Sequence, residues 1–240
     1  MRQQGLIHSK FARINTIALA SLIGLTGCTL PSQQGITAAG VTPPVITPPP
    51  DPPPAEANVV SLDPQSWHIY YSEGMPPNPS SETGAAWSFA FPSGEHGGHV
   101  NYVQTPFRVT TTLQNVTMTF RVESDQPLYD VIDRTDHPPA TFHIFFEQRN
   151  DDLIEPNGRW WVHGGYNLGS QDNQTITLTV PLTSDQWSNV DGQTDPKDFA
   201  AAWANVGWIG VTFGGQFFWG HGVALDSGTA TFVLINFEVN

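Results

Sequence analysis

Most of the chain alternates apolar and polar side chains in short runs, and turn-forming residues separate these runs. The segment 174–181 is typical, because Ile176, Leu178 and Val180 are interleaved with threonines. A period of two indicates a β-strand with one buried face, since successive side chains on a strand point to opposite sides. The 22 glycines and 21 prolines suit the many turns that such strands need. These features predict an all-β domain.

The pattern predicts nine strands and one short helix. A helix is expected over 196–204, because Asp195 suits its N-cap and Pro196 its first position. A further helical turn is expected at Ser184–Trp187. Nine short strands with scarcely a helix predict a β-sandwich. The strands are expected at 66–71, 86–91, 99–104, 115–122, 141–148, 159–163, 174–181, 206–213 and 229–239.

The order of these segments resembles that of a known group of β-sandwiches. The short helix precedes "NVGWIGVTFGG", a glycine-rich "GHGV" follows, and the chain finishes with the long strand "GTATFVLINFEV". This arrangement, over 58–240, is similar to jelly-roll, galactose-binding-like domains, a fold that many carbohydrate-binding modules share. The resemblance implies a jelly-roll β-sandwich that binds a glycan. Several of these modules hold calcium through an Asp in the last strand, where this chain has Asn236, so that site is not transferred.

The first residues follow a different pattern. Three basic residues precede an apolar run that is too short to span a bilayer. The run ends in "LTGC", which resembles the lipobox of bacterial lipoproteins and contains the only cysteine, Cys28. The resemblance implies a signal peptide over 1–27, cleavage before Cys28 and lipidation of its thiol. In that family an Asp after the cysteine favours the inner membrane, so Thr29 implies an outer-membrane lipoprotein of the cell envelope.

Residues 28–57 are predicted to be a lipidated, proline-rich linker. The stretch "VTPPVITPPPDPPPAE" holds eight prolines, which favour an extended polyproline II conformation and oppose a packed core. The expected organisation is therefore a signal peptide, this linker, and a β-sandwich domain over 58–240. The acyl chains would anchor the protein stably to the membrane.

Composition excludes several classes of partner and cofactor. The formal net charge of −13 opposes binding to a phosphate backbone, so no nucleic-acid partner is expected. A single cysteine excludes an intramolecular disulfide and a cysteine-based metal site. No phosphate-loop or dinucleotide motif is present, so no cofactor is expected. The acidic turn Asn150, Asp151, Asp152 offers oxygen ligands that could hold a structural calcium ion.

Alternation also divides three of the strands between two faces. Trp160 shares the core face with Val162, whereas Trp161 falls on the opposite face, so we expect the two tryptophans to differ in solvent exposure. The opposite face is a candidate glycan-binding surface, because aromatic rings cover the C–H patches of sugars and polar groups meet the hydroxyls. Its predicted members are His143, Phe145, Glu147, Arg149, Arg159, Trp161, His163 and Trp208.

Two questions about these aromatic residues stay open in the sequence. Loops could cover the face, in which case Trp161 and Trp208 would belong to a second core. Trp219, in the loop "GGQFFWGHGV", is a further candidate glycan-binding residue if it lies exposed at the loop tip, and a plug of the sandwich if it is buried.

Three functions follow, in order of preference. The first is non-catalytic binding of a polysaccharide or glycan, and the second is a structural or adhesion lipoprotein that binds another envelope protein. The third is a polysaccharide lyase or hydrolase. No catalytic residue is predicted, because the E-x-D-x-E strand of glycosidases with related sandwiches is absent. A lyase would need a base beside a neutralising cation, and such a set could come from His143, Arg149, Arg159, His163 and Tyr166.

Overall fold

The computed structural model describes residues 58–93, 97–131, 138–151, 155–168, 173–215 and 221–240. One α-helix, α1 (Pro196–Ala204), is present in these ranges, with 3-10 turns at Pro64–Ser66, Pro156–Gly158 and Ser184–Gln186. The strands are β1 (His68–Tyr70), β2 (Ser80–Ser81), β3 (Trp87–Ala90), β4 (Tyr102–Pro106), β5 (Asn115–Ser124), β6 (Tyr129–Asp130), β7 (Thr141–Gln148), β8 (Arg159–Val162), β9 (Tyr166–Asn167), β10 (Ile176–Pro181), β11 (Trp187–Asn189), β12 (Val206–Gly214), β13 (Val223–Ala224) and β14 (Ala230–Val239).

Two large antiparallel sheets form a β-sandwich. The seven-stranded sheet has the order β1-β4-β12-β7-β8-β11, with β9 paired to β7. The five-stranded sheet has the order β10-β5-β14-β3-β2, and β13 pairs with β6 separately. The chain crosses repeatedly from one sheet to the other, as in a jelly roll. The predicted all-β sandwich with one short helix is confirmed. Within the described ranges, no helix combines the length and the apolar character that a membrane span requires.

The sandwich core consists mainly of phenylalanine and tryptophan side chains from the facing sheets. Phe142 of β7 meets Phe120 of β5 at 4.8 Å between ring centroids, and Phe213 of β12 meets Phe232 of β14 at 5.6 Å. Both contacts are edge-to-face, which is a favoured geometry for aromatic pairs. Burying each such side chain stabilises the fold by about 1.5–3 kcal/mol before the entropy of ordering it is subtracted.

Helix α1 closes part of this core and begins where its caps predict. The Asp195 carboxylate accepts hydrogen bonds from the backbone N–H groups of Lys197 and Asp198, at 2.8 and 3.2 Å, and Pro196 follows the cap. Phe199 is buried and meets Trp160 at 5.3 Å between centroids. The predicted bounds of this helix are confirmed.

The main differences from the predicted elements concern short strands. Alternation did not predict β2, β6, β9, β11 or β13, because two or three residues are too few to establish a period. The first strand is shorter than predicted, since Asp63 caps a 3-10 turn at Pro64–Ser66 just before it. The strand expected at 99–104 is Tyr102–Pro106, so its start was wrong by three residues. All nine predicted strands are otherwise present.

Candidate binding site

The seven-stranded sheet has a second face that is turned away from the sandwich core, and we call it the outer face. Strand register places neighbouring side chains on it in rows. Trp208 lies opposite Glu147, which lies opposite Arg159. In the next row, Gly210 lies opposite Phe145, which lies opposite Trp161. The aromatic, charged and hydrogen-bonding members of the outer face include His68, Tyr70, Tyr102, Gln104, His143, Phe145, Glu147, Arg159, Trp161, Ser188, Trp208 and Thr212.

This outer face is buried. Trp160 belongs to the main core and Trp161 to a separate cluster with Tyr102 and Phe145, so the predicted division between two faces is confirmed. The expected difference in exposure is wrong, because Trp160 is 0% and Trp161 3% exposed. Trp208 is also buried. Alternation determines to which side a ring points, but packing from other segments determines whether water reaches it.

Two tyrosines from the end of β1 pack on this cluster. Tyr71 adopts φ of +48°, a left-handed conformation that is unusual for a bulky residue. Its ring lies 4.2 Å from that of Tyr70 and 6.3 Å from that of Tyr102, between centroids. The side-chain amide of Asn101 donates a hydrogen bond of 2.6 Å to the Tyr71 carbonyl and so holds this turn. Tyr70 and Tyr71 are only partly buried, so they are the rings of the cluster that solvent reaches.

A charged group lies at one end of the outer face. Arg159 Nε lies 3.0 Å from Asp151 Oδ2, and the Asp151 side chain is fully buried. Glu147, on the strand beside Arg159, is 2% exposed. Burial, together with repulsion from the Asp151 carboxylate, raises the pKa of Glu147 to about 8, against the attraction of Arg159. Glu147 therefore keeps its proton near neutral pH and can donate a hydrogen bond.

The remaining titratable groups of the outer face are also neutral near pH 7. His143 Nδ1 lies 2.8 Å from the Val162 carbonyl oxygen, so this nitrogen carries the hydrogen and donates it. Burial lowers the pKa of His143 to about 4, although this hydrogen bond opposes the shift. Burial raises the pKa of the Tyr102 hydroxyl, against interactions with Arg159 that lower it. Imidazole and phenol are thus available as hydrogen-bonding groups without a charge.

The buried polar atoms of this face include Gln104 Oε1 and Ser188 Oγ, which have no hydrogen-bond partner among the residues that the structure describes. Gln104 lies opposite Gly210 and Ser188 opposite Trp161, so both belong to the row through Phe145. Leaving a buried acceptor or donor unpaired costs about 1–3 kcal/mol. A ligand that supplied hydroxyl groups here would remove this cost.

The structure does not bring all of the predicted site residues together. Arg149 and His163 lie in exposed turns after β7 and β8. Each strand ends one residue before them, so neither residue belongs to the outer face. Trp219 and Cys28 lie outside the described residues, as does Asp152 of the candidate calcium turn. Asp151 of the same turn forms the ion pair with Arg159. Within the described ranges, no three His, Cys, Asp or Glu side chains converge as metal ligands would.

Sequence reasoning missed several members of the outer face. Tyr102 and Gln104 share one side of β4, and the alternation in "NYVQ" could have placed them there had that strand been divided between faces. Tyr70 could have been found in the same way from β1. Ser188 carries no such signal, since β11 has only three residues and its pairing with β8 is a tertiary contact.

Comparisons with known proteins give a distant structural likeness and no family. Neither a protein-family model nor a curated protein sequence matches the chain. Among solved structures, the chain is similar to a proposed glycoside hydrolase from Bacteroides thetaiotaomicron. The TM-score is 0.35 and the sequence identity 9%, over 71% of this chain and 56% of that one. So distant a likeness says nothing of fold or activity, and the β-sandwich is established by the strand pairing described above.

Proposed function

We propose that the protein is a lipid-anchored lipoprotein of the cell envelope, in the outer membrane, that binds a polysaccharide or glycan through the outer face of its seven-stranded sheet. The observation that carries this proposal is the composition of that face. Aromatic rings and hydrogen-bonding groups share it, and Gln104 Oε1 and Ser188 Oγ are buried there without a partner among the described residues. Rings that cover C–H patches and polar groups that meet hydroxyls are what a sugar requires.

A purely structural role accounts poorly for this composition. Taking Glu147 and the Asp151–Arg159 pair out of water is costly, and well-packed apolar side chains in the same positions would stabilise the fold as well or better. Titratable groups whose pKa values are shifted by burial, gathered on one face, are more typical of a functional site. The cost to stability therefore favours a role in binding.

The charges of the site favour a neutral sugar. Arg159 is compensated by Asp151, and Glu147 is protonated near neutral pH, so the charged end of the face has little net charge. Tyr70 and Tyr71, as the partly exposed rings, are the expected contacts for the sugar's apolar side. Glu147 and Gln104 are 2% and 1% exposed, so they would meet hydroxyl groups only after the side chains above them move aside.

The decisive test is Gln104→Met, which keeps the size of the side chain and removes the unpaired oxygen. We expect the free energy of unfolding to stay unchanged or to rise, because an unsatisfied buried acceptor is lost. We expect glycan affinity to fall at least tenfold. Isothermal titration calorimetry of the full-length protein against soluble glucan, xylan, galactan, mannan and alginate would measure this, with urea unfolding to report stability.

The matched control is Thr119→Val, which removes an exposed hydroxyl from the other sheet and should leave affinity unchanged. If wild-type protein bound none of these polysaccharides, the proposal would fail. It would also fail if Gln104→Met bound as well as wild type.

The membrane anchor is tested separately. Metabolic labelling with a palmitate analogue should mark the wild-type protein and leave Cys28→Ser unlabelled. Equal labelling of both proteins would exclude lipidation at Cys28.

The burial of Glu147 favours a second candidate function, a glycan-cleaving enzyme. A carboxylic acid that keeps its proton near neutral pH can protonate the oxygen of a glycosidic bond as it breaks. New reducing or unsaturated ends in an incubated polysaccharide would reveal cleavage, and Glu147→Gln should then abolish it while binding persists. Binding by wild type without new ends would favour the non-catalytic function.

A further inference from the structure

A cleft of about 220 Å³ opens at the side of the sandwich, between strand β10 and the turn that follows β8. Its floor is apolar and is formed by Phe142, Ile144, Leu178 and Val180. Its rim is polar and carries His163, Tyr166, Thr179 and Gln186. At about 30 Å³ for each water, the cleft has the volume of about seven water molecules, which is room for one sugar ring.

The cleft exists because the seven-stranded sheet is interrupted at this point. Strand β7 pairs with β8 from Phe145 onward and with β9 only at Thr141 and Phe142, so the residues between β8 and β9 leave the sheet. Gly164 adopts φ of +64° in this turn, and a Cβ there would meet nothing within 4 Å. The left-handed conformation that glycine permits therefore turns the chain outward and leaves open space beside it.

Two contacts hold the rim of the cleft in place. A Cβ on Gly165 would lie 2.1 Å from His143 Nε2, so only glycine lets the turn pack on the imidazole. The backbone N–H of His163 donates a hydrogen bond of 2.8 Å to the Gln186 carbonyl. This bond ties the turn after β8 to the 3-10 turn at Ser184–Gln186. The rim is thus fixed on both sides by the chain itself.

The cleft and the outer face share a residue. His143 lies on the outer face opposite Thr212, and it is also among the residues that line the cleft. The outer face and the cleft therefore meet at His143. A ligand on the outer face would reach the cleft by continuing past this residue.

The chemistry of the cleft favours a neutral sugar over an acidic one. The apolar floor suits the C–H side of a pyranose ring, and the rim offers an imidazole, a phenol, a hydroxyl and an amide to its hydroxyls. The Asp185 carboxylate accepts a hydrogen bond of 3.0 Å from the Gln186 side chain, which places a negative charge beside the rim. A uronate in the cleft would be repelled by this charge.

We propose that this cleft is a second carbohydrate subsite, which holds one neutral hexose unit of the glycan chain that the outer face binds. The inference rests on the proposed function and adds to it the place and chemical class of an additional sugar unit. It makes the affinity for a glycan dependent on chain length, because only a chain long enough to pass His143 fills both parts of the surface.

The test is Leu178→Trp, which places a large ring in the cleft, with Ile176→Trp as the matched control. Both side chains lie on the inner side of β10 and are partly buried against the core. Only Leu178 lines the cleft. The two variants should therefore have similar thermal unfolding temperatures, which would show that each is folded.

Affinity is measured by calorimetry with glucose and mannose oligomers of increasing length. For wild type and Ile176→Trp we expect affinity to rise at least tenfold at the length that reaches the cleft. For Leu178→Trp we expect this rise to be lost while the binding of short oligomers is unchanged. An undiminished rise in Leu178→Trp would overturn the subsite, and the proposed function would stand if Gln104→Met still lost binding. If no oligomer or polysaccharide bound to wild type, both proposals would fall.

Discussion

The outer faces of the two sheets arise from the same alternating pattern, but one face is buried and the other is exposed to water. On the five-stranded sheet, Thr177 and Thr179 of β10 are exposed, and their hydroxyls bond across the strand pair to Thr119 and Thr117 at 2.9 and 3.1 Å. Alternation predicted one buried face for this strand, and the exposure of its threonines on the other face agrees with that prediction. On the seven-stranded sheet, the outward side chains are aromatic or titratable and are almost all buried.

This difference shows how strongly the surroundings change the energy of a polar side chain. An exposed hydroxyl or ion pair exchanges one set of hydrogen bonds with water for another and contributes little. A buried carboxyl, imidazole or ion pair loses its hydration and must recover that energy from protein groups. The exposed threonine face therefore requires no further explanation, whereas the buried polar face favours a function.

The largest expected effect is that of Trp161→Ala. Since the ring is 3% exposed, its removal should lower the free energy of unfolding by about 3–5 kcal/mol, as for a core tryptophan. Urea unfolding would measure this, with Trp160→Ala of the main core as the reference. A loss below about 1 kcal/mol, as for a surface ring, would show that the outer face is as open to water as the threonine face.

The next effect separates two ion pairs that lie on opposite outer faces. Arg159→Met leaves the buried Asp151 carboxylate without its ion-pair partner and should cost about 3 kcal/mol. Arg121→Met removes the partner of Glu123 on the exposed face and should cost about 1 kcal/mol or less. Chemical unfolding of both variants at one salt concentration makes the comparison. Equal losses would mean that the Arg159 pair is solvated.

Glu147→Gln should change how stability depends on pH. The pKa of Glu147 is about 8 in the folded protein and 4.5 as an ordinary value, so the folded state holds a proton that the unfolded chain has released. Between pH 5 and pH 8 Glu147 should therefore remove roughly 3–4 kcal/mol of stability from the wild type, at about 1.4 kcal/mol for each pKa unit. His143, whose pKa is lowered to about 4, should return about 2 kcal/mol over the same range, because the unfolded chain loses the proton that its imidazole binds at pH 5. Glu147→Gln should lack the loss and keep the gain, so its stability should rise between the two pH values. Urea midpoints at the two pH values measure it.

The exposed Glu238→Gln serves as the control for that measurement, because its side chain lies on the outer face of the other sheet. It should leave the pH profile as in wild type. Identical profiles for Glu147→Gln and wild type between pH 5 and pH 8 would show that Glu147 is ionised and solvated.

The smallest effect is expected on the threonine face. Thr119→Val removes one cross-strand hydroxyl pair and keeps a β-branched side chain, so the stability should change by about 0.5 kcal/mol or less. Thermal unfolding is sensitive enough to detect a larger change. A loss above about 2 kcal/mol would mean that this face also carries buried or cooperative interactions, and the contrast between the sheets would disappear.

Much of the fold could be predicted from local patterns in the sequence. The strand over Thr141–Gln148 has the predicted bounds because eight residues are enough for a clear period of two. The helix at Pro196–Ala204 is also as predicted, because its cap and its proline act within a few residues of chain. Strands such as Tyr166–Asn167 could not be predicted, since their pairing depends on a distant partner.

The candidate site was only partly predictable for the same reason. Alternation correctly separated Trp160 from Trp161, and it placed Glu147 on the side of Trp161. It also placed Arg149 on this face, although the strand ends at Gln148. It did not show that Gln104 and Ser188 belong to the same row. Membership of a site depends on which strands are neighbours, and that information is not present in any single strand.

The sequence by itself determined the class of structure and the side to which each strand residue points, because a strand's geometry is local and repeats every two residues. The tertiary structure alone decided the exposure of those residues. Trp161 and Thr177 both point outward from their sheets, but one lies under Tyr70 and Tyr71 and the other lies in water. Burial is a property of everything that packs nearby, and here it raises the pKa of Glu147 and separates a candidate site from an ordinary surface.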